Sequence, residues 1–461
     1  MTVPGEDPDL VVVGGGAAGL GAAHAAAARG ARVLLVTDGE PGGECTFTGC
    51  VPSKALLAAA AQGLAYGDAA RRVRETVTAI AATEDAATLR ASGIEVLRGR
   101  ARLRDRTVLD VDGSTVRAPR IVLATGSRPA VPDGLGLAGV PFLTNETVFE
   151  LAELPGSLAV LGAGSVGCEL AQAFRRLGSA VTVVETAATV LPGEEPEASA
   201  VLAAVFARAG IDLRVGARPR WVGAERDGRL RLQLDGDEAL VADQLLVAAG
   251  RWPNSDDLGL ESVGVEVGQH GQVVTDPHLC TTVDGIYAAG DVTGLMPFTH
   301  AAYAMGRLAA GNALASRPWR RRYDPAATPW VTFTDPEVAR VGVREAEAPR
   351  GTRVATVPMT SVDRARTAAE TDGFVKLLAA PRPLLRRAAG GRLVGATVVA
   401  ARAGEMIHEP TLAMATRMFP GRLAATTHAY PTWSLAVQQA AAQLFTDRDG
   451  RPAARAARDH R

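Results

Sequence analysis

DLVVVGGGAAGLGAAHAAAARGARVLLVTD (residues 9–38) and SLAVLGAGSVGCELAQAFRRLGSAVTVVE (residues 157–185) repeat one design. Each stretch runs from a short apolar, strand-like segment into Gly-x-Gly-x-x-Gly, and then through a helix-like segment into a second apolar strand. In this setting the glycines make a tight turn, let backbone amides approach a pyrophosphate and allow the helix to pack on the strand. The two repeats therefore predict an α/β fold with two Rossmann-like dinucleotide-binding domains.

The composition is that of a folded globular protein. The chain has 461 residues, of which 47% are hydrophobic and 21% charged, and its net charge is −1. This length predicts about two to four domains, and the interspersed charges give no indication of binding to nucleic acid or to a membrane surface. The apolar residues 10–36 contain six glycines, His24 and two arginines and lack a basic leader, so neither a signal peptide nor a membrane-spanning helix is predicted. We expect a cytoplasmic protein.

The rest of the chain divides into regions whose residue patterns predict different secondary structure. Residues 53–91 have a helical pattern, and residues 94–129 have short alternating runs broken by Asp-Gly, which predicts an antiparallel meander. A similar β-rich stretch follows the second repeat. Beyond residue 326, strand-like runs such as WVTFTD and GFVKLLA alternate with helical stretches over residues 404–418 and 432–445. This C-terminal part is predicted to be a separate α+β domain.

A cysteine pair follows the first repeat. Cys45 and Cys50 are separated by four residues in GGECTFTGCVPSK (residues 42–54), and they could form a metal site, a structural disulfide or a redox pair. Zinc sites usually combine Cys-x2-Cys with a second ligand pair downstream, whereas the other two of the four cysteines stand alone. A structural disulfide is not expected in a long chain without a secretory segment. The redox pair is the favoured interpretation.

Pairing of these thiols requires a distorted backbone. Residues i and i+5 of an ideal helix have Cα atoms roughly 8–9 Å apart, beyond the ~7 Å limit for a disulfide. Gly49, directly before Cys50, would allow the distortion. Lys54 is placed to supply positive charge to a thiolate, and Pro52 suits the opening of a helix. With two dinucleotide sites, the pair predicts an electron relay from a nicotinamide through a flavin to a disulfide.

Several motifs occur in an order typical of one family. The sequence resembles, over nearly its whole length, the FAD-dependent pyridine nucleotide–disulfide oxidoreductases, which include glutathione reductase, dihydrolipoamide dehydrogenase and mercuric reductase. The motifs that carry the resemblance are GGGAAG (14–19), GGECTFTGCVPSK (42–54), ATGSRP (124–129), GAGSVGCE (162–169), AAGRWPN (248–254), GIYAAGDV (285–292) and TFTDPEVARVG (332–342).

The resemblance implies a domain organisation. An FAD-binding domain would comprise residues 1–150 and 273–325, and an NAD(P)-binding domain residues 151–272. Residues 326–447 would form a dimerisation domain of a twofold homodimer. The polar, basic residues 448–461 are predicted to be a disordered tail.

The resemblance also implies residue roles. Cys50 would be the flavin-proximal thiol that forms a charge-transfer thiolate, and Cys45 the thiol that meets the substrate. Lys54 and Glu169 would lie near the reactive nitrogen of the flavin, and Asp291 would bind the ribityl or phosphate region of FAD. The remaining positions that match the dinucleotide-binding motifs are Gly14, Gly16, Gly19, Asp38, Gly43, Thr125, Gly126, Gly290, Gly162, Gly164, Gly167, Glu185 and Gly250.

The ends of the second strands bear on nucleotide preference. A carboxylate at this point hydrogen-bonds ribose hydroxyls and repels a 2′-phosphate, whereas NADP sites usually offer arginine. Glu185 occupies the position in the second repeat, and no arginine follows it in the loop. We therefore predict NADH over NADPH. In the first repeat Thr37 stands where the family usually has an acid, with Asp38 beside it, so the FAD adenosine would be bound differently.

The sequence departs from the disulfide reductases in its C-terminal segment, THAYPTWSLAVQQAAAQLF (residues 427–445). These enzymes have His-Pro-Thr-x-Ser-Glu there, contributed across the dimer interface, and the histidine is their general acid–base. Tyr430 takes the place of the histidine and Leu435 that of the glutamate. A phenol with an ordinary pKa near ~10 cannot exchange protons at neutral pH as imidazole does. His428 would need a register shift, and no acid to orient it is evident in the sequence.

A tyrosine at this position resembles mercuric reductase, in which cysteines and tyrosines hold a metal ion and thiolates suit Hg(II). The adjacent C-terminal cysteines and the N-terminal Cys-x2-Cys domain of that enzyme are not found here. The leading hypothesis is an NADH-dependent FAD enzyme that reduces a metal ion, disulfide or other small electrophile through the cysteine pair. Three alternatives are a dihydrolipoamide dehydrogenase with altered acid–base machinery, a quinone reductase that uses only its flavin, and a non-enzymatic flavin-bound redox sensor.

Overall fold

The structure is a computed structural model that describes residues 7–381, 391–445 and 453–455. It has mixed helices and sheets, and the chain divides into two compact units. The first contains the described residues up to Asp133 together with Pro141–Leu154 and Leu246–Tyr323. The second contains Gly134–Val140, Pro155–Leu245 and the described residues from Asp324 onward. The α/β class expected from the sequence is confirmed, whereas the predicted domain boundaries stay predictions.

The first unit begins with the first glycine repeat. Its elements are β1 (Leu10–Val13), α1 (Ala17–Ala27), β2 (Val33–Thr37), α2 (Gly43–Phe47), α3 (Cys50–Ala61), α4 (Tyr66–Ala81), α5 (Ala86–Ala91), β3 (Ile94–Arg98), β4 (Ala101–Asp105), β5 (Val108–Val111), β6 (Ser114–Arg117), β7 (Ile121–Leu123) and β8 (Ser127–Pro129). β1 lies between β2 and β7 in a parallel sheet and is buried at every residue, as expected for a strand covered on both faces.

The predicted meander is correct only in part. β4, β5 and β6 form an antiparallel sheet of their own. β3 was expected in that meander but pairs in parallel with β2, with Val33 opposite Ile94. Its short apolar pattern suits either kind of pairing, and packing against the central sheet decides between them.

The second glycine repeat opens a similar arrangement in the second unit. The elements are β9 (Ser157–Leu161), α6 (Ser165–Leu177), β10 (Ala180–Glu185), α7 (Pro196–Ala209), β11 (Asp212–Val215), β12 (Pro219–Ala224), β13 (Leu230–Leu234), β14 (Ala239–Ala242) and β15 (Gln244–Val247). β9, β10 and β11 are parallel neighbours, and β12, β13 and β14 form an antiparallel meander. The sequence repeat therefore corresponds to a repeat in structure.

The chain then returns to the first unit. Its elements are β16 (Arg251–Pro253), α8 (Leu260–Val263), β17 (Ile286–Ala288) and α9 (Thr299–Leu314). β17 pairs with β7 and completes the sheet order β17-β7-β1-β2-β3. α9 packs closely on α1 because glycines face the contact: a Cβ on Gly306 would collide with the carbonyl of Ala18, and one on Gly21 with the carbonyl of Tyr303.

The C-terminal part of the second unit is an α+β arrangement. Its elements are β18 (Pro329–Thr332), β19 (Glu337–Gly342), β20 (Arg353–Pro358), α10 (Asp363–Ala368), β21 (Phe374–Ala380), β22 (Arg392–Ala400), α11 (Ala403–Met406), α12 (His408–Ala415), α13 (Pro420–Ala425), α14 (Leu435–Gln443) and β23 (Ala454–Arg455). The strands form one antiparallel sheet in the order β18-β19-β22-β21-β20-β23. Buried residues of α12, α13 and α14 join its hydrophobic core.

Most of the predicted disordered tail, residues 448–461, lies outside the described residues. Within it, β23 pairs with Arg353 and Val354 of β20, so the predicted disorder does not hold at Ala454 and Arg455. In the part of the chain that the structure describes, no helix has the length and apolar character needed to cross a membrane.

A buried lysine gathers three carboxylates within the second unit. Lys376 on β21 is buried, and its Nζ lies 2.6 Å from Glu197, 2.9 Å from Glu345 and 3.6 Å from Glu195. Burial raises the pKa of Glu195. Burial opposes the charge of Lys376, but its hydrogen bonds to Glu197 and Glu345 outweigh that effect and raise its pKa. The cluster ties α7, on which Glu197 lies, to the C-terminal sheet.

Replacing Lys376 with Met is expected to lower the thermal unfolding midpoint by roughly 5–10 °C, because breaking a buried ion pair leaves unpaired carboxylates in a poorly hydrated site. Arg208→Gln is the matched control, since Arg208 also joins α7 to the C-terminal part through Asp372 but both side chains are exposed. That variant should shift the midpoint by less than about 2 °C. Differential scanning calorimetry of both variants makes the comparison, and equal shifts would contradict the role of the buried cluster.

Candidate functional site

The two thiols are brought together by a break between two helices. Cys45 lies in α2, and Cys50 is the first residue of α3. A Cβ on Gly49 would lie 2.9 Å from the carbonyl oxygen of Glu44 and 3.2 Å from the Cα of Cys45. Only a glycine fits so close to the preceding turn without a shift. The distortion expected at Gly49 is therefore present, and both cysteines are free thiols in this structure.

The thiols interact with each other and with the start of α9. A hydrogen bond with Cys50, together with burial, raises the pKa of Cys45, whereas a hydrogen bond from Thr299 acts in the opposite direction. The Sγ of Cys50 lies 3.3 Å from the Oγ1 of Thr299. The environment of Cys45 therefore favours its protonated form. The predicted role of Cys45 as the thiol that meets the substrate stays a prediction.

The other two cysteines lie in surroundings that disfavour the reactive thiolate form. Cys168 and Cys280 are both buried. Burial raises the pKa of each thiol. Because the thiolate is the reactive form, these side chains behave as small apolar core residues.

A hydrogen-bonded chain of charged groups anchors α2 within the first unit. Arg251 pairs with Glu44, with Nη1 and Oε1 2.7 Å apart, and its Nε donates to the Oγ of Ser127 at 2.8 Å. Ser127 in turn donates to the carboxylate of Asp291 at 2.6 Å. The amide of Asn145 donates to Glu44 at 2.5 Å. Four of these five residues were not predicted as site residues, although Arg251 and Ser127 belong to motifs that carry the resemblance.

An open cavity adjoins the thiol pair. It has a volume of about 360 Å³ and lies between α3 and α4. Its lining residues are Cys50, Val51, Lys54, Ala55, Arg72, Thr76 and Ile80. Of the two thiols, Cys50 lines this cavity.

The glycines predicted to bind FAD cluster around the N-terminus of α1. Gly16 caps this helix without a side-chain hydrogen bond, and the first turn contains no acidic residue. Gly43 and Gly290 have φ values of +62° and +80°, and a Cβ on either would come within 2.6–2.8 Å of Gly16 or Ala18. Added side chains would therefore fill the space where backbone amides face outward. A pyrophosphate fits this cradle, because amides at a helix N-terminus bind anions.

Two further predicted FAD positions lie on the loops beside this cradle. Thr125 donates to the carbonyl of Asn254 at 2.6 Å, and Gly126 has a φ of +73°. Thr37 is buried, with its Oγ1 only 2.8 Å from where a Cβ on Gly15 would lie, whereas Asp38 is exposed and 4.0 Å from Arg100. The predicted role of Asp38 stays a prediction.

The second repeat forms an equivalent cradle in the second unit. Gly164 caps α6 without a side-chain hydrogen bond, and a Cβ on Gly167 would collide with the carbonyl of Gly162. Glu185, at the end of β10, accepts hydrogen bonds of 2.7 Å from the backbone amides of Ala163 and Ala187. Its carboxylate is thus fixed at the rim of the glycine loop, where the ribose hydroxyls of a dinucleotide bind in this fold.

The remaining predicted residues, Lys54, Glu169 and Gly250, lie on separate segments of the chain. Lys54 on α3 lines the cavity, and its Nζ donates to the Oγ of Ser53 at 3.3 Å. Glu169 on α6 is buried and accepts from the backbone amide of Phe333 at 2.9 Å. Gly250 has a φ of +132°, a conformation that favours glycine. The roles inferred for these residues from the resemblance stay predictions.

Tyr430 and His428 of the C-terminal segment each have partners in the same chain. Tyr430 is 72% exposed, and its hydroxyl donates to Asp363 at 3.1 Å. This hydrogen bond raises the pKa of Tyr430, so the phenol keeps its proton. The expectation that no acid orients His428 is wrong, because Glu409, on α12, lies 2.9 Å from its Nε2. That acid is distant in sequence, which is why the segment itself gave no sign of it.

His428 is held on both sides. Its Nδ1 lies 2.9 Å from the carbonyl oxygen of Thr426, and Glu409 binds its Nε2. Burial opposes the charge of His428, but the hydrogen bonds to Glu409 and Thr426 raise its pKa. Both nitrogens lie within hydrogen-bonding distance of oxygen atoms of the same chain, so the ring helps to fix the turn that precedes Tyr430.

Comparisons with known proteins agree with this geometry. Residues 8–306 match the sequence profile of the family described as pyridine nucleotide-disulphide oxidoreductase, and residues 328–441 match that of its dimerisation domain. A mercuric reductase of Streptomyces lividans is 38% identical, with 95% of this chain and 96% of that protein aligned. A dihydrolipoyl dehydrogenase of Thermus scotoductus is 33% identical, with 95% and 97% aligned.

Two solved structures are similar over almost the whole chain. One is the Cu(II) complex of RclA, a HOCl-induced flavoprotein disulfide reductase from Escherichia coli, with 28% identity and a TM-score of 0.86 over 95% of this chain and 99% of that one. The other is LpdA from Mycobacterium tuberculosis, with 30% identity and a TM-score of 0.85 over 95% of this chain and 100% of that one.

Thr299→Val is expected to shift alkylation of the reduced thiol pair to higher pH, because it removes the hydrogen bond that lowers the pKa of Cys45. The midpoint of the rate profile should rise by about half to one pH unit. The measurement is the rate of iodoacetamide alkylation against pH in enzyme that has been reduced and desalted. Thr299→Ser retains the hydroxyl and should retain the wild-type midpoint. An unchanged midpoint in the valine variant would show that the hydroxyl does not stabilise the thiolate.

Proposed function

Because the chain belongs to the pyridine nucleotide-disulphide oxidoreductase family, which uses FAD and NAD(P)H, we propose that it passes electrons from NADH through Cys45 and Cys50 to a thiophilic metal ion such as Hg(II). The observation that carries the proposal is the thiol pair itself, hydrogen-bonded and next to an open cavity. Two adjacent sulfurs can bind a soft metal ion and also deliver two electrons.

The C-terminal segment favours a metal ion over a disulfide. Reduction of a disulfide releases a thiolate that a general acid must protonate. Tyr430 has a raised pKa, and both nitrogens of His428 are already hydrogen-bonded to oxygen atoms of its own chain, which argues against either side chain as that acid. A metal ion needs no such group, because thiolates bind it directly and release their protons to solvent.

The similar proteins support the same class of acceptor. The relative from Streptomyces lividans is named for the reduction of mercury, and the similar structure of RclA is a Cu(II) complex. Among the described residues, no group of three or more His, Cys, Asp or Glu could hold a metal ion. In this proposal the metal ion is a substrate that binds to the two cysteines.

In this proposal, the residues of the site have separate roles. Bound FAD would accept hydride from the nicotinamide and transfer two electrons to the cysteine pair. Gly14, Gly16 and Gly19 would hold its pyrophosphate, and Thr299 would stabilise the thiolate that meets the metal ion. The anchoring of Glu44 by Arg251 would keep α2, and with it Cys45, in place during turnover.

The dihydrolipoyl dehydrogenase from Thermus scotoductus supports a second candidate, the oxidation of dihydrolipoamide. That reaction needs an acid–base group at the thiols, and the engagement of both nitrogens of His428 together with the raised pKa of Tyr430 argues against this candidate. Flavin-only reduction of a quinone and a non-enzymatic sensor role remain alternatives that the experiment below distinguishes. The match to the dimerisation domain supports a homodimer, and we place the enzyme in the cytoplasm because its thiols are not used as structural disulfides.

The acceptor is tested by following NADH oxidation with Hg(II), Cu(II), lipoamide, glutathione disulfide and a quinone, in wild type and in Cys50→Ala. Turnover with a metal ion is expected to fall by a factor of about 100 or more in the variant, because one of the two sulfur ligands and the electron path are lost. Cys168→Ala, which changes a buried thiol, is the control. Quinone turnover that survives in Cys50→Ala, with no metal reduction in wild type, would contradict the proposal and favour the flavin-only enzyme.

The nucleotide preference follows from the fixed carboxylate of Glu185. We expect kcat/KM to be about tenfold or more higher for NADH than for NADPH, because the carboxylate repels a 2′-phosphate at short range. Glu185→Gln should reduce this preference, mainly through a lower KM for NADPH. Glu238→Gln removes an exposed carboxylate of the same unit that pairs with Arg214, and should leave the preference unchanged. Equal efficiency with both nucleotides in wild type would refute the assignment.

A further inference from the structure

One face of α6 is bonded to the turn between β18 and β19 of the same unit. Glu169, Gln172 and Arg176 are spaced three and four residues apart, so their side chains project from one side of the helix. Oε1 of Glu169 accepts from the backbone amide of Phe333 at 2.9 Å. Arg176 forms an ion pair with the carboxylate of Asp335. The helix and the turn are thereby joined on both sides of Gln172.

Gln172 makes a two-way contact with this turn. Its Nε2 donates to the carbonyl oxygen of Asp335 at 2.8 Å, and its Oε1 accepts from the amide of Asp335 at 2.7 Å. Gln172 is only 1% exposed. Because a buried amide group that loses its partners destabilises a fold, these two hydrogen bonds hold the turn in one position. Gln172 thus fixes the backbone two residues beyond Phe333, whose amide contacts Glu169.

Glu169 lies where the orientation of its carboxylate affects the nicotinamide site. Gly164 caps the same helix, so the glycine loop predicted to bind the dinucleotide lies between about one and two turns before Glu169. Glu169 is buried, and the resemblance implies a role for it near the reactive nitrogen of the flavin. A hydrogen bond from a backbone amide to a carboxylate is strong enough to restrict the rotation of the side chain.

We propose that Gln172 is a positioning residue for the transfer of hydride from NADH to FAD. By fixing the turn at Asp335, it places the amide of Phe333 so that the carboxylate of Glu169 keeps one orientation. In this step the hydride leaves the nicotinamide ring, NADH is oxidised to NAD⁺, and FAD is reduced to FADH⁻. The inference rests on this first step of the proposed function and applies to any final acceptor.

The test combines single-turnover reduction of the FAD-loaded enzyme by NADH with hydrogen–deuterium exchange of residues 331–335. Gln172→Met keeps a side chain of similar size but has no amide. It is expected to slow hydride transfer about tenfold, because a small displacement of a positioned group has a large effect on the rate. The Kd for NAD⁺, measured by equilibrium dialysis, should change by less than about twofold, because the glycine loop and Glu185 are untouched. Deuterium uptake by residues 331–335 should become faster.

Arg176→Gln is the matched control, because Arg176 lies on the same face of α6 and contacts the same residue of the turn. Its ion pair is partly exposed and contributes little, so the rate of hydride transfer and the exchange should stay at their wild-type values. Gln172→Asn has an amide too short to reach both backbone atoms of Asp335. It should reproduce the loss of rate and serves as the second variant if Gln172→Met does not fold.

Four outcomes would overturn the inference. Faster exchange in Gln172→Met with a wild-type rate of hydride transfer would reject the positioning role and leave the proposed function intact. Unchanged exchange would show that the turn does not depend on Gln172. An equal loss of rate in Arg176→Gln would assign the effect to the whole contact between helix and turn. Failure of wild type to accept hydride from NADH would reject the proposed function together with the inference. A wild-type Kd for NAD⁺ in Gln172→Met excludes misfolding as the cause of a slower step.

Discussion

Glycines, which have no side chain, allow the short backbone-to-backbone distances on which the packing of the first unit depends. Where Gly19 faces Gly14 and Gly306 faces Ala18, two backbones meet with no room for a Cβ. The close contact of α1 with α9 follows from the second of these approaches. Gly49 has the same role at the cysteines. Because it has no side chain, its backbone can lie close to the preceding turn, which contains Cys45. Because α9 is held so close, its first residue, Thr299, reaches the thiol pair.

Charge is arranged differently on the two sides of the thiol pair. Towards Asp291, the charges of Glu44 and Arg251 compensate each other and are joined by hydrogen bonds, which makes that side a rigid support. Towards the cavity, the charge of Arg72 is left without a carboxylate partner among the described residues. A charge-balanced hydrogen-bond network stabilises the backbone, whereas a charge without a partner remains available to interact with a ligand.

The sequence predicted those features that depend on local pattern. The two glycine repeats indicated both βαβ units, and the Cys45–Cys50 spacing indicated the need for a break at Gly49, because each signal lies within a few residues. The parallel pairing of β3 was missed, since its alternation is also that of a meander strand. Thr299 lies 249 positions from Cys50, and Glu409 lies 19 positions from His428, on other helices. Such contacts arise from tertiary packing, which a single sequence does not encode in any short motif.

The raised pKa of Cys45 affects how this thiol reacts with oxidants when no acceptor is bound. Thiolates react with peroxides and other weak oxidants, whereas protonated thiols react slowly. While Cys45 keeps its proton, this thiol is therefore expected to react slowly with such oxidants when no acceptor is present. An acceptor that binds sulfur strongly enough to displace the proton overcomes this protection by its own affinity. In the proposed function, the protonated state of Cys45 would therefore favour acceptors that bind sulfur strongly over peroxides.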